Sequence, residues 1–122
     1  MNCILIIDDD YAVRLLYQEE LEDDGYEVVT FGDCENLMDN IEQHRPDVII
    51  MDIKMGKISG LDIIQEIRST YYDIPIILCS AYSTFKSDAK SIAADYYVVK
   101  SSDLSELKLR ILMAIEGSTP ND

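Results

Sequence analysis

The stretch IIDDDYAVR, residues 6–14, decides how the rest of the chain is read. A run of branched apolar residues, CILII at 3–7, stops abruptly at three aspartates, and an amphipathic stretch follows at once. This is a short buried strand running into a helix, with Asp10 placed to cap the helix by accepting from its first N–H groups. Two carboxylates about 4 Å apart repel by roughly 4 kcal/mol at an effective dielectric near 20, so the cluster is costly. Either the neighbours of Asp10 are simply solvated at a strand end, or the cluster binds something that offsets its charge.

Downstream, short apolar runs alternate with amphipathic stretches, the pattern of a β/α fold with a parallel sheet. A first helix from about residue 11 puts Val13, Leu16, Tyr17 and Leu21 on one face and ends at Gly25, and EVVTF (27–31) is the second strand. A second helix near 34–44 buries Leu37, Met38 and Ile41 and stops at Pro46; DVIIM (47–51) is the third strand. The segment DIKMGKISG reads as a loop, and a third helix from Gly60 carries Leu61, Ile64, Ile67 and Tyr71. PIILCS (75–80) is the fourth strand, opened by a proline at a permitted position. The fourth helix, STFKSDAKSIAA, is short and serine-rich, with Phe85, Ala89 and Ile92 to bury, and is the element expected to move. YYVV (96–99) is the fifth strand, and a last helix near 103–116 uses Leu104, Leu107, Ile111 and Ile115. One domain over 1–117 and a short tail over 118–122 result.

The totals agree with one globular domain: 122 residues, 48% of them apolar. No apolar run approaches the roughly 18 residues that cross a bilayer, and MNCILIIDDD lacks the basic start and cleavage site of a signal peptide. A cytoplasmic location is expected. Cys3, Cys34 and Cys79 are far apart and form no C-x-x-C pair, so neither a disulfide framework nor a zinc site is expected, and Cys3 and Cys79 read as small buried residues. His44 has no second histidine and reads as a surface residue near a helix end. A net charge of −14 disfavours nucleic acid and anionic membranes as partners. Residues 1–52 hold fifteen acids against two bases, so one end should be strongly negative.

Five strands in right-handed β-α units make a three-layer doubly wound sheet with its crevice at the carboxyl ends of the strands. That rule brings Asp8, Asp9, Asp52, Ser80 and Lys100 to one edge. With no histidine or cysteine available there, the set makes no hydrolytic triad, but it suits Mg²⁺ and phosphoryl chemistry. Mg²⁺ takes oxygen ligands from one or two carboxylates and keeps positions for water and phosphate, and a carboxylate can itself be the nucleophile. A hydroxyl and an ammonium would stabilise the remaining phosphoryl oxygens. Plainer readings exist: Asp52 as a cap on the next turn, Ser80 as a loop residue, Lys100 as a surface charge.

The set IIDDD, VIIMDIKM…SG, IILCSAY and YYVVK, in this order and spacing, resembles the receiver domain of two-component response regulators. The resemblance implies a CheY-like sheet of order 2-1-3-4-5 with five helices, an order that comes with the family and not from the spacing. It implies that Asp52 accepts a phosphoryl group from a phosphohistidine of a sensor histidine kinase or phosphotransfer protein. Asp9, Asp52 and the backbone carbonyl of Lys54 would hold Mg²⁺, or Mn²⁺, with Asp8 acting through water. Ser80 and Lys100 would contact the phosphoryl group. Tyr97 matches a switch aromatic that turns inward with the hydroxyl of Ser80, coupling the site to the face of the fourth helix, fifth strand and fifth helix; ordinary strand packing is its plainer role. Such a protein is a phosphoacceptor that promotes its own phosphorylation rather than an enzyme, either a monomer or a dimer on phosphorylation. Its downstream protein target is not indicated.

Four positions depart from the family pattern. Gly56 stands where proline is usual, Ser80 replaces threonine, Ala93 replaces a frequent glycine, and Ser101 replaces the proline after Lys100. A cis bond without proline costs about 2.5–4 kcal/mol, which favours trans at Lys100–Ser101. Lys54 and Tyr82, two residues beyond Asp52 and Ser80, together with DDDYAVR, resemble single-domain sporulation phosphorelay regulators and imply a slowly hydrolysed phosphoryl group. Lys86, Lys90, Lys100, Lys108 and Arg110 form a partly basic set, suited to an acidic partner or to a solvated face. Two rival functions remain open: a haloacid dehalogenase-type phosphatase with Asp8 as nucleophile, and a docking module that no longer takes phosphate.

Overall fold

The computed structural model describes residues 2–55, 58–81 and 94–117. In chain order the elements are β1 (Cys3–Ile7), α1 (Tyr11–Asp23), β2 (Glu27–Phe31), α2 (Leu37–His44), β3 (Val48–Asp52), β4 (Lys54–Met55), β5 (Ile58–Ser59), α3 (Gly60–Thr70), β6 (Ile76–Ser80), β7 (Tyr96–Val99) and α4 (Ser105–Gly117). Five strands form one parallel sheet in the order β2-β1-β3-β6-β7, which is the expected 2-1-3-4-5 order. Four helices lie among the described residues rather than five. The helix expected over 83–94 lies outside them apart from Ala94, as do Gly56, Tyr82, Lys86, Lys90, Ala93 and the tail 118–122.

The continuous apolar runs of β1, β3 and β6 are buried along their whole length, because helices cover both faces of the sheet. Alternate residues serve opposite layers. Ile4 and Ile6 join Tyr17 and Leu21 of α1 and Leu107 and Ile111 of α4, while Leu5 and Ile7 join Ile41 of α2 and Ile64 of α3. Asp10 caps α1 as expected, its carboxylate accepting from the N–H groups of Ala12 at 2.9 Å and Val13 at 3.4 Å. Gly25, with φ +96°, lets the chain turn out of α1, a conformation a side chain would strain.

Several boundaries move for local reasons. Leu16, expected on the buried face of α1, is 41% exposed: the stripe that reaches the sheet is Val13, Tyr17 and Leu21, and Leu16 is turned about 100° from Tyr17. α2 starts at Leu37 because Asp33 accepts from the N–H of Glu35 at 2.9 Å and holds the preceding residues in a turn. Asp47 stays outside β3, its carboxylate accepting from the N–H of Cys3 at 2.8 Å, so the strand runs one residue further and ends on Asp52. Pro75 precedes β6. Leu104 is buried just ahead of α4, where Asp103 accepts from the N–H of Ser105 at 2.9 Å. DIKMGKISG contains the small antiparallel pair β4–β5.

Cys3 and Cys79 are buried thiols. His44 ends α2 half-buried, its ring 6.0 Å from that of Phe31. No peptide bond among the described residues is cis, so Lys100–Ser101 is trans as expected. Of the partly basic set, Lys108 pairs with Glu20 at 3.2 Å and Asp24 at 3.3 Å, and Arg110 with Glu106 at 3.8 Å, so these charges are engaged within the chain. Among the described residues, no helix is long and apolar enough to cross a membrane.

Candidate functional site

Parallel pairing places four strand ends along one edge. Ile7 lies opposite Met51, Asp52 opposite Cys79, and Ser80 opposite Val99, so Asp8, Asp52, Ser80 and Lys100 follow one another across the sheet. The buried polar or charged residues among those described are Asp8, Asp52 and Ser80, at 3%, 8% and 1% exposure. Burial of such groups requires partners, and the partners define the site.

Asp8 is held at several atoms. Its N–H donates to the carbonyl of Phe31 at 3.1 Å, its Oδ1 accepts from the N–H of Asp10 at 2.9 Å, and its Oδ2 lies 2.7 Å from Lys100 Nζ. The same ammonium donates to Asp52 Oδ2 at 3.0 Å. Lys100 is itself fixed by its N–H, which donates to the carbonyl of Ser80 at 2.6 Å. Burial pulls the Lys100 ammonium down, but its hydrogen bonds to Asp8 and Asp52 and their charges outweigh that, and its pKa ends above the ordinary lysine value. Asp9 is exposed at the mouth, and one carboxylate oxygen from each of Asp8, Asp9 and Asp52 lies within 4.8 Å of the others.

Three carboxylates within that span are a hard-oxygen donor set of the kind Mg²⁺ takes. The chemistry of the residues present therefore fits a divalent cation, with Lys100 standing across the buried pair as a countercharge. Lys54 follows Asp52 by two residues and starts β4, opposite Ser59. Tyr97 lies in β7 opposite Leu78, half-buried against the cluster that includes Ile64 and Ile67. Tyr82 lies outside the described residues.

Two features escaped the sequence reading. Gly60 opens α3 by donating its N–H to the carbonyl of Ile53 at 2.6 Å, and a Cβ there would run into the carbonyl oxygen of Asp52 and lie 3.1 Å from Ile53 Cα. α3 is thus docked on the backbone of the site, and the one sequence signal was a glycine where a helix begins. On the α1 side of the sheet, the Tyr17 hydroxyl lies 3.4 Å from Cys79 Sγ. Burial pushes the Cys79 thiol up to about 11, and Tyr17 is raised as well, chiefly by burial.

Comparison with known proteins agrees with this geometry. The family model described as response regulator receiver domain matches residues 4–112. Response regulator MprA of Mycolicibacterium vanbaalenii is 33% identical over 121 residues, covering 98% of this chain and 52% of that protein. The chain thus spans about half the length of the curated relatives it matches. The structure of response regulator protein TrrA from Thermotoga maritima in complex with Mg²⁺-BeF superposes with a TM-score of 0.87 at 42% identity, covering 93% of this chain and 99% of that one. Histidine kinase ThkA in complex with TrrA provides a second match, with a TM-score of 0.86 and 42% identity over 94% of this chain and 99% of the other.

Proposed function

This chain belongs to the response regulator receiver domain family, and on that premise we propose that it accepts a phosphoryl group on Asp52 from a phosphohistidine of a sensor histidine kinase or histidine phosphotransfer protein. The observation that carries the proposal is the Lys100 ammonium set between Asp8 and Asp52, at 2.7 and 3.0 Å, beside an acidic trio within 4.8 Å. An Asp52 oxygen attacks phosphorus, the bond from phosphorus to the donor imidazole breaks, and its electron pair returns to the histidine nitrogen. Asp9, Asp52 and the Lys54 carbonyl would hold Mg²⁺ or Mn²⁺, with Asp8 acting through water. When bound, the cation supplies positive charge against the phosphoryl oxygens.

The remaining steps belong to the chain's own residues. Asp8 and Asp52 keep Lys100 at the mouth of the site, so that on phosphorylation its ammonium faces a phosphoryl oxygen in place of the Asp52 carboxylate. Ser80 ends the next strand and presents its hydroxyl to another oxygen. Its movement, followed by Tyr97, alters the outer face at β7 and α4 and so reports phosphorylation to a downstream protein. Slow hydrolysis of the phosphoryl group is assigned to Lys54 and Tyr82, two residues beyond Asp52 and Ser80 in the chain. TrrA, 42% identical to this chain, is seen both with Mg²⁺-BeF and with a histidine kinase, which supports the metal and the partner class. The chain acts as a phosphoacceptor rather than a turnover enzyme, in the cytoplasm, as a monomer or a phosphorylation-dependent dimer.

The test is transfer of label from a histidine-phosphorylated donor. Label should reach the wild-type chain in the presence of Mg²⁺, be absent from Asp52→Asn, and be lost faster when Lys54→Asn is combined with Tyr82→Glu. Transfer to Asp52→Asn at the wild-type rate would rule the proposal out.

A further inference from the structure

We propose that Arg14 is a positioning residue for the acidic trio, acting through the backbone of Asp8, and that residue 32 is glycine in order to leave its guanidinium room. The proposal rests on reading the trio as a divalent-cation site. Arg14 lies one turn into α1, its N–H donating to the carbonyl of the cap residue Asp10 at 3.1 Å. Its side chain reaches back past the cap: Nη1 donates to the Asp8 carbonyl at 2.6 Å, and the guanidinium carbon lies 5.5 Å from the centre of the Tyr11 ring.

That carbonyl belongs to the peptide joining Asp8 to Asp9. Asp8 is already held at its N–H by Phe31, at Oδ1 by Asp10 and at Oδ2 by Lys100. None of these contacts touches the Asp8 carbonyl, whose peptide plane sets the direction in which the exposed Asp9 carboxylate leaves the chain. Arg14 fixes it with a charge-assisted bond to the carbonyl oxygen. Loss of groups that hold ligands in this way, without touching the metal, typically costs about 10- to 100-fold in affinity.

Gly32 supplies the independent observation. It directly follows β2, and its φ is not in the left-handed region, so the backbone does not call for glycine. A Cβ at this position would lie 2.9 Å from Arg14 Nη1, 3.3 Å from Cζ and 3.5 Å from Nη2, the three nearest atoms all being in one guanidinium. Since that group is the far end of a flexible side chain, Gly32→Ala displaces Arg14 rather than the strand.

A rival effect of Arg14 has the opposite sign. A guanidinium beside a divalent cation repels it, so as a mere charge Arg14 weakens binding and its displacement would tighten binding. As a positioning residue, its displacement loosens binding. Gly32→Ala keeps the charge in the molecule and removes the fit, which separates the two.

The experiment is calorimetric titration of the metal-free protein with MgCl₂ for the wild type, Gly32→Ala, Arg14→Lys and the double variant. Each single variant should weaken Mg²⁺ binding by about tenfold. The double variant should be no weaker than the worse single, because both changes act through one hydrogen bond. Unchanged or tighter binding in Gly32→Ala, or losses that add in the double variant, would overturn the assignment of Arg14 while leaving the cation site standing. No Mg²⁺ binding by the wild type would overturn the cation site, and this inference with it.

Discussion

Asp52→Asn should stabilise the metal-free protein, although it removes half of an ion pair. At an effective dielectric near 20, Lys100 at 3.0 Å attracts the Asp52 carboxylate by about 5 kcal/mol. Asp8 and Asp9, with oxygens within 4.8 Å, each repel it by about 3.5 kcal/mol or more. With the exposed Asp9 discounted for solvent screening, repulsion and attraction nearly cancel, and at 8% exposure the carboxylate also gives up hydration that a neutral amide does not need, which leaves a gain on the order of 1 kcal/mol. For a domain of this size the gain corresponds to a rise in Tm of about 3–6 °C. Mg²⁺ should offset that advantage: at ten times its Kd it stabilises the wild type by about 1.4 kcal/mol, and Asp52→Asn, lacking a ligand, should gain much less. Thermal unfolding followed by circular dichroism, with chelator and then with Mg²⁺, reads both quantities. A lower Tm for Asp52→Asn in chelator, or equal Mg²⁺ shifts in the two proteins, would refute the reasoning.

The other predictions use neighbouring groups. Lys100→Met should lower the Tm in chelator, because Asp8 and Asp52 then face each other without the ammonium now 2.7 and 3.0 Å away, and added Mg²⁺ should restore more to this variant than to the wild type. Gly60→Ala should cost about 1–3 kcal/mol in chemical denaturation, since its Cβ meets the Asp52 backbone, and should slow phosphorylation. Cys79 ties stability to alkaline pH. Its thiol is raised from 9.0 to about 11 in the folded state, so the contribution is fully present below pH 9 and is lost as pH rises through the folded value. The loss is at most about 3 kcal/mol, at roughly 1.4 kcal/mol per pKa unit, and Cys79→Val should flatten the decline between those pH values.

The parallel sheet and the acidic edge were legible in the chain because each rests on a contiguous signal. Buried parallel strands are written as unbroken apolar runs, and the residue after each run is at the crevice by topology, so Asp8, Asp52, Ser80 and Lys100 could be assigned together. What was hidden depends on contacts between distant segments. Leu16 is as apolar as Leu21, and its outward turn follows from which stripe of α1 the sheet accepts. The β4–β5 pair is two residues long on each side, too short for alternation to show. Nothing in the sequence connects Arg14 with Gly32, and their link emerges from the approach of α1 to the end of β2. Gly60 is similar: its requirement lies in the Asp52 carbonyl, not in its own neighbours.

The most direct measurement is to phosphorylate the purified chain with a small-molecule phosphodonor and Mg²⁺, then reduce the acyl phosphate with borohydride and map the modified residue by mass spectrometry. A single modification at Asp52, dependent on Mg²⁺ and absent from Asp52→Asn, is the predicted result. Modification at Asp8, or none at all while Mg²⁺ still binds, would contradict it.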